Sequence, residues 1–416
     1  MKTPNKSILE NVVSLYVIHI FNYIVPLLMI PYLTRHLGVV GWGEFAIAEA
    51  LARYLTLFIE YGFTLSGTRE VARNQEQPEA RSTLLSGIIG AQALLAVTSI
   101  TVGFILSRTL PAFQGAPWLF WSGIVWGILD AFNLMWYFQG LERTRVVAIF
   151  DVSARAVSVI LTFLFVRGPE DGWLVFCFRG ISSALSVVFC LHLAYKEIPF
   201  RRPAATDARR MLKDGFAMFL LRSSINLYLL GNVLILGIFA PPAVVGLYSG
   251  AEKISRAAIA MLNPVTQALY PRISKLLHAG DHGAKGLIRI AMAAMGSGGV
   301  LTALSITIAA PLIVRVLLGK EFAEATIILR LLCLLHPIVA LNNVLGIQWM
   351  IPHGRERQFN YITIGGGLVN LALGLILVPR IMQFGIVWSV ITAEILMFAA
   401  IIVTCRELKI SPFGSD

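Results

Sequence analysis

Gly43-Glu-Phe-Ala-Ile-Ala-Glu-Ala-Leu-Ala-Arg53 returns 203 positions later as Gly246-Leu-Tyr-Ser-Gly-Ala-Glu-Lys-Ile-Ser-Arg256, with glycine, aromatic, alanine, glutamate and arginine in register. The same offset carries Arg69 onto Arg272, and a weaker echo pairs Gly140-Leu-Glu-Arg143 with Gly354-Arg-Glu-Arg357. Because 203 is close to half of 416, the match predicts two copies of one unit, over 1–200 and 201–416.

The surrounding composition states what the unit is made of. The chain is 57% hydrophobic and only 14% charged, whereas soluble globular proteins carry about a quarter charged residues. Apolar runs of about 20 residues, the length that spans a bilayer, recur near 9–34, 42–66, 83–107, 117–139, 146–166, 172–194, 212–238, 243–270, 285–310, 324–350, 358–379 and 384–405. The expectation is an all-α polytopic membrane protein with twelve transmembrane helices. Six helices per half is an even number, which makes the repeat parallel, and a substrate path is then expected between the lobes.

A net charge of +11 in a soluble chain suggests nucleic acid, but here its distribution between loops identifies it as a topology signal. Alternate loops hold 21 Lys and Arg on one side and 6 on the other, with the remaining seven of 34 inside predicted spans. The positive-inside rule places both termini in the cytoplasm. The longest loop, Tyr195 to Lys213, reads as a cytoplasmic linker between the halves. Met1 to Ser7 leads into a retained first helix with no cleavage site of small residues. Cys177, Cys190, Cys333 and Cys405 show no CxxC spacing, which fits buried thiols better than a disulfide framework or a metal site and suggests no redox role.

The seven embedded bases are Arg53, Arg155, Arg179, Arg222, Lys253, Arg256 and Arg330. An unpaired charge at the bilayer centre costs at least about 2.5 to 3.5 kcal/mol, so these groups must face a wet path, and their sign points to an anionic cargo. Glu49–Arg53, Asp151–Arg155 and Glu252–Arg256 are spaced i to i+4 and are expected to pair along their own helices. Mutual neutralisation in lipid is the competing reading of those pairs. Arg179, Arg222, Lys253 and Arg330 have no acid at helical spacing, so their partners must come from other helices, water or substrate. Arg53, Arg155, Arg222, Lys253 and Arg256 fall near mid-membrane depth, where arginine forks and a lysine point charge suit phosphate oxygens. Glu49, Asp130, Glu252 and Glu394 lie deep in their spans and are candidates for ion coupling. Asn22 and Pro26 mark a bend in the first helix, either a packing kink or a gating hinge. His19 reads as a core histidine, Gly296-Ser-Gly-Gly299 and Gly365-Gly-Gly367 as close-packing sites, and Trp42, Trp118, Trp173 and Tyr195 as interface anchors.

Asn11-Val-Val-Ser-Leu-Tyr16, Asn22-Tyr-Ile-Val-Pro26, Pro31-Tyr-Leu-Thr-Arg35-His-Leu-Gly38, Glu60-Tyr-Gly-Phe63 with Thr68-Arg69, and Trp136-Tyr-Phe-Gln-Gly140-Leu-Glu142 resemble the polysaccharide-transporter branch of the MATE-like exporter superfamily, the Wzx-type flippases. The resemblance runs over essentially the whole chain. It implies two six-helix lobes, a cationic cavity, and transfer of undecaprenyl-diphosphate-linked oligosaccharide from the cytoplasmic to the periplasmic leaflet of the bacterial inner membrane. The implied partners are that lipid-linked glycan, membrane lipids, and a polysaccharide polymerase with its chain-length machinery. No cofactor is expected beyond proton or sodium coupling, and no metal, nucleic acid or enzymatic activity. Two alternatives belong to other classes. A drug or cation antiporter needs an acid-dominated site, and a glycan polymerase or ligase needs a large outward loop; neither feature is present in the sequence.

Overall fold

The computed structural model describes the backbone of residues 4–109, 111–279 and 283–412, with side chains outside 4–27, 111–112, 217–218, 220–230 and 278. The chain divides into two compact units, Met1–Ser223 and Ser224–Asp416. The first is built from α1 (Pro4–Glu60), α2 (Phe63–Arg73), α3 (Pro78–Thr109), α4 (Pro111–Gln114), α5 (Pro117–Ala131), α6 (Met135–Gly140), α7 (Thr144–Phe165), α8 (Gly172–Tyr195) and the beginning of α9 (Ala205–Phe239). The second holds the rest of α9, then α10 (Pro242–Ala260), α11 (Asn263–His278), α12 (Gly283–Leu317), α13 (Ala325–Cys333), α14 (Leu335–Asn343), a π-helical turn Val344–Met350, α15 (Glu356–Ile381) and α16 (Gln383–Glu407). Among the described residues the structure is all-α, and eight segments are long and apolar enough to cross a membrane.

The repeat seen in sequence reappears in the packing. In the first unit α5 packs on α1 and on α8, and α7 on α8; in the second, α13 packs on α10 and on α16, and α15 on α16. The breaks coincide as well. Gly38 interrupts α1 at φ 66°, ψ −177°, a conformation that glycine alone adopts without strain. Its counterpart at offset 203 is Pro241, the residue before α10, with ψ 151°.

Several expected boundaries shift, for one shared reason. The predicted span 42–66 stops at Glu60, where Tyr61 (φ 48°) and Gly62 (φ 79°) turn the chain. Beyond it α2 is a separate helix that buries Phe63, Gly67 and Val71 and leaves its charged face outward. Predicted span 243–270 is likewise split between α10 and α11. Summed hydropathy merges a spanning helix with the amphipathic helix after it, because it ignores on which face the apolar residues lie. The segment 195–213, expected as a linker, becomes helical from Ala205, and the division between units falls at Ser223/Ser224 inside α9. Trp118 is 76% exposed, as an interface anchor would be, whereas Trp42 is 1% exposed and stacks on Phe45, so it is a core residue. All four cysteines are free thiols, three of them buried.

In the second unit the interior contains a hydrogen-bonded polar chain. Asn370 donates to Asn232 at 2.8 Å and accepts from Ser389 at 2.9 Å, all three being buried. His336, fully buried, lies 3.1 Å from Ser255 Oγ and 3.3 Å from Thr302 Oγ1. Such groups persist in an apolar interior only when they satisfy one another.

Candidate functional site

One face of α8 organises the embedded charges of the first unit. Arg179, Ser183 and Ser186 are spaced i, i+4, i+7, and each meets an acid from a different helix. Arg179 Nη1 donates to Glu49 Oε1 of α1 at 2.7 Å, Ser183 Oγ to Asp130 Oδ1 of α5 at 3.0 Å, and Ser186 Oγ to Asp151 Oδ1 of α7 at 3.1 Å. Three helices are thus tied by polar contacts to one stripe on a fourth.

The close approach that permits this depends on Gly127. A Cβ built there would stand 2.5 Å from the Ala52 carbonyl oxygen, and Thr56 Oγ1 donates to the Gly127 carbonyl at 2.9 Å. Only glycine lets the α1 and α5 backbones meet at that level. One residue before it, Trp126 presents its ring 4.7 Å from the Arg53 guanidinium and 5.1 Å from that of Arg179. An indole face attracts such cations by about 0.5 to 2 kcal/mol, more when water is excluded.

The expected Glu49–Arg53 pair is therefore replaced. Glu49 is held by Arg179 across the helix interface, and Arg53 Nη1 reaches Asp130 Oδ2 at 3.5 Å. The physical reason is reach: α5 and α8 crowd the helix face that carries both residues, so cross-helix partners compete with the partner one turn away. The other two pairs form as their spacing predicts, Arg155–Asp151 at 3.0 Å and Arg256–Glu252 at 2.8 Å. Tyr248 OH also donates to Glu252, at 3.2 Å. Arg330 donates to the Thr307 carbonyl at 3.1 Å, a partner from α12. Glu394 is 5% exposed and accepts from Asn342 Nδ2 at 2.7 Å. Lys253 follows Glu252 on α10. The side chains of Arg222, Asn22, Pro26 and His19 lie outside the described residues.

The electrostatics have a direction. Arg53, Arg155 and Arg256 keep 45%, 48% and 43% of their side chains accessible, while Asp130, Asp151 and Glu252 keep 18%, 12% and 13%. In each pair the acid is recessed and the guanidinium stands forward. A guanidinium carries five N–H groups, more than one carboxylate accepts, so a guanidinium in such a pair can serve a second acceptor. Ser183, Ser186 and Trp126 did not emerge from the sequence as site residues. Their signal was present in the i, i+4, i+7 spacing on α8 and the Trp126–Asp130 spacing on α5, but only where apolar residues also stand at helical intervals.

The chain matches the family model described as polysaccharide biosynthesis protein over residues 8–277. It is 30% identical over 414 residues to an Escherichia coli (strain K12) protein named as a candidate O-antigen transporter, covering 99% of each chain. A Shigella dysenteriae protein of the same name is 29% identical, covering 93% of this chain and 97% of that one. Among solved structures, the lipid II flippase MurJ in an inward closed conformation superposes with TM-score 0.75 at 12% identity, covering 94% of this chain and 87% of MurJ. A multidrug resistance MATE family transporter of the MOP superfamily, inward-facing, superposes at 0.63 with 16% identity, covering 93% and 99%. The all-α membrane fold and these likenesses meet in one assignment: the chain belongs to the polysaccharide biosynthesis protein family and has the fold of a MOP superfamily transporter.

Proposed function

We propose that this protein flips undecaprenyl-diphosphate-linked oligosaccharide from the cytoplasmic to the periplasmic leaflet of the inner membrane by alternating access, for cell-surface polysaccharide biosynthesis. The observation that carries the reading is the forward position of Arg53, Arg155 and Arg256 over recessed acids. Guanidinium groups held this way at membrane depth would be costly against lipid, and they suit the oxygens of a diphosphate, which accept paired N–H donors. Lys253 and Arg222 complete the proposed diphosphate set from their positions along α10 and α9. The recessed acids keep the resting site near neutrality, so the substrate is attracted without a large unpaired charge in the empty protein. The names of the two bacterial relatives support O-antigen or related glycans as the cargo class.

Both termini are proposed to be cytoplasmic, from the loop charge asymmetry. Glu49, Asp130, Glu252 and Glu394 remain the proposed carriers of proton or sodium coupling, and Asn22 with Pro26 the proposed hinge. A polymerase with its chain-length machinery is the proposed recipient of the flipped glycan.

The decisive experiment removes the protein from its host and follows the lipid-linked oligosaccharide. Accumulation on the cytoplasmic face, reversed by the intact gene and only in part by Arg53→Ala, is the expected result. Normal arrival of the glycan at the periplasmic face without the protein would overturn the reading.

A further inference from the structure

A cleft of about 530 Å³ opens between α2, α3 and the start of α9, within the first unit and among residues separate from the proposed diphosphate set. Its walls are amphiphilic. Phe63, Leu84, Ile88 and Met211 form an apolar part, whereas Arg69, Glu70, Arg210 and Asp214 form a charged one. Ile88 lies ten residues along the membrane-crossing α3 from its first residue, Pro78, or about 15 Å of helix. The cleft thus runs from the aqueous end of a spanning helix toward hydrocarbon depth, and its occupant must itself be amphiphilic.

The charges narrow the chemistry. Arg69 and Arg210 share the lining with the carboxylates of Glu70, Asp207 and Asp214. Asp207 is engaged by Arg201 at 3.1 Å and Glu70 also by Arg73 at 3.1 Å. Neither sign dominates, which disfavours an anionic headgroup and favours one carrying both charges. The ion pairs that lie in the cleft are long and exposed, Arg69–Glu70 at 3.6 Å and Arg210–Asp214 at 3.8 Å. Such pairs contribute little and yield readily to a ligand. A quaternary ammonium is best held by an aromatic cage, but among the described residues lining the cleft only Phe63 is aromatic. Carboxylates are acceptors and call for N–H donors.

We infer that this cleft binds the headgroup of an aminophospholipid, with the phosphodiester on Arg69 and Arg210, the primary ammonium on Glu70 and Asp214, and the glycerol and upper acyl chain against Leu84, Ile88 and Met211. It is a lipid site at the membrane interface, and its occupancy does not depend on the transported substrate.

Purified full-length protein, exchanged into equimolar phosphatidylethanolamine, phosphatidylcholine and phosphatidylglycerol of matched acyl chains, tests this by native mass spectrometry of retained lipid. Phosphatidylethanolamine should be retained in preference to both others. The paired exchange Glu70→Gln with Asp214→Asn should weaken its retention about tenfold, toward the level of phosphatidylcholine. Equal retention of phosphatidylethanolamine and phosphatidylcholine by the unaltered protein, or a preference for phosphatidylglycerol, would overturn the assignment, and that comparison requires no variant to fold.

Discussion

Arg179 Nη1 on α8 lies 2.7 Å from Glu49 Oε1 on α1, so the acid one turn before Arg53 is engaged by another helix and Arg53 turns to Asp130 at 3.5 Å. The two arginines thereby acquire different work. Arg179 is 24% exposed and short-bonded, and it ties α8 to α1; Arg53 is 45% exposed, loosely paired and available. A charge-assisted bond at 2.7 Å in a partly buried setting is a structural contact, whereas a 3.5 Å pair leaves guanidinium donors for a ligand.

Removing the structural pair should destabilise the fold. Arg179→Ala or Glu49→Gln should each cost about 1.5 to 3 kcal/mol, since either change strands a charged partner. Chemical unfolding in detergent of the two single variants and the double variant is the check. A coupling energy near zero in that cycle would contradict a direct structural role.

A different outcome is expected of Arg53. Asp130 keeps the Ser183 hydroxyl when Arg53 is truncated, so Arg53→Ala should cost less stability than Arg179→Ala, its loss being the longer Asp130 pair and the Trp126 face, and should reduce glycan transport about tenfold, the scale of one lost charge-assisted contact. Arg53→Lys should retain part of the flux. Lys253→Ala and Arg222→Ala should abolish transport at normal expression, and normal rates in both would refute the cationic mechanism.

Helix proximity can be tested at glycine. Gly127→Ala should cost about 1 to 3 kcal/mol, because the new methyl meets the Ala52 carbonyl at 2.5 Å. Gly365→Ala, also within a helix but with nothing within 4 Å of the added Cβ, should be neutral or stabilising by up to about 1 kcal/mol. Similar effects at the two positions would show that the α1–α5 approach is not tight.

The proposed orientation is open to labelling in a cysteine-free background. A cysteine at position 205, at the start of α9, should react only with a membrane-permeant reagent. One at position 168, in the turn before α8 where an added Cβ meets nothing within 4 Å, should react from outside. The reverse pattern would invert the topology.

Local spacing was enough for everything that one helix decides alone. Apolar runs of spanning length set the all-α membrane class. The offset of 203 marked the repeat, and i to i+4 spacing foretold Asp151–Arg155 and Glu252–Arg256, whose partners ride on the same backbone. The partners of Glu49 and Arg53 were decided by tertiary structure. At their spacing they satisfy the same rule, yet Gly127 lets α5 close on α1, α8 closes on α5, and Arg179 then reaches Glu49 first. Which neighbour a side chain meets across a helix interface depends on the separation and rotation of two rods, quantities that hydropathy and periodicity leave undetermined. The same holds for α2 and α11. Their apolar residues count toward a span in a linear sum, and only the turns at Tyr61–Gly62 and Met261–Leu262 set them apart as helices of their own.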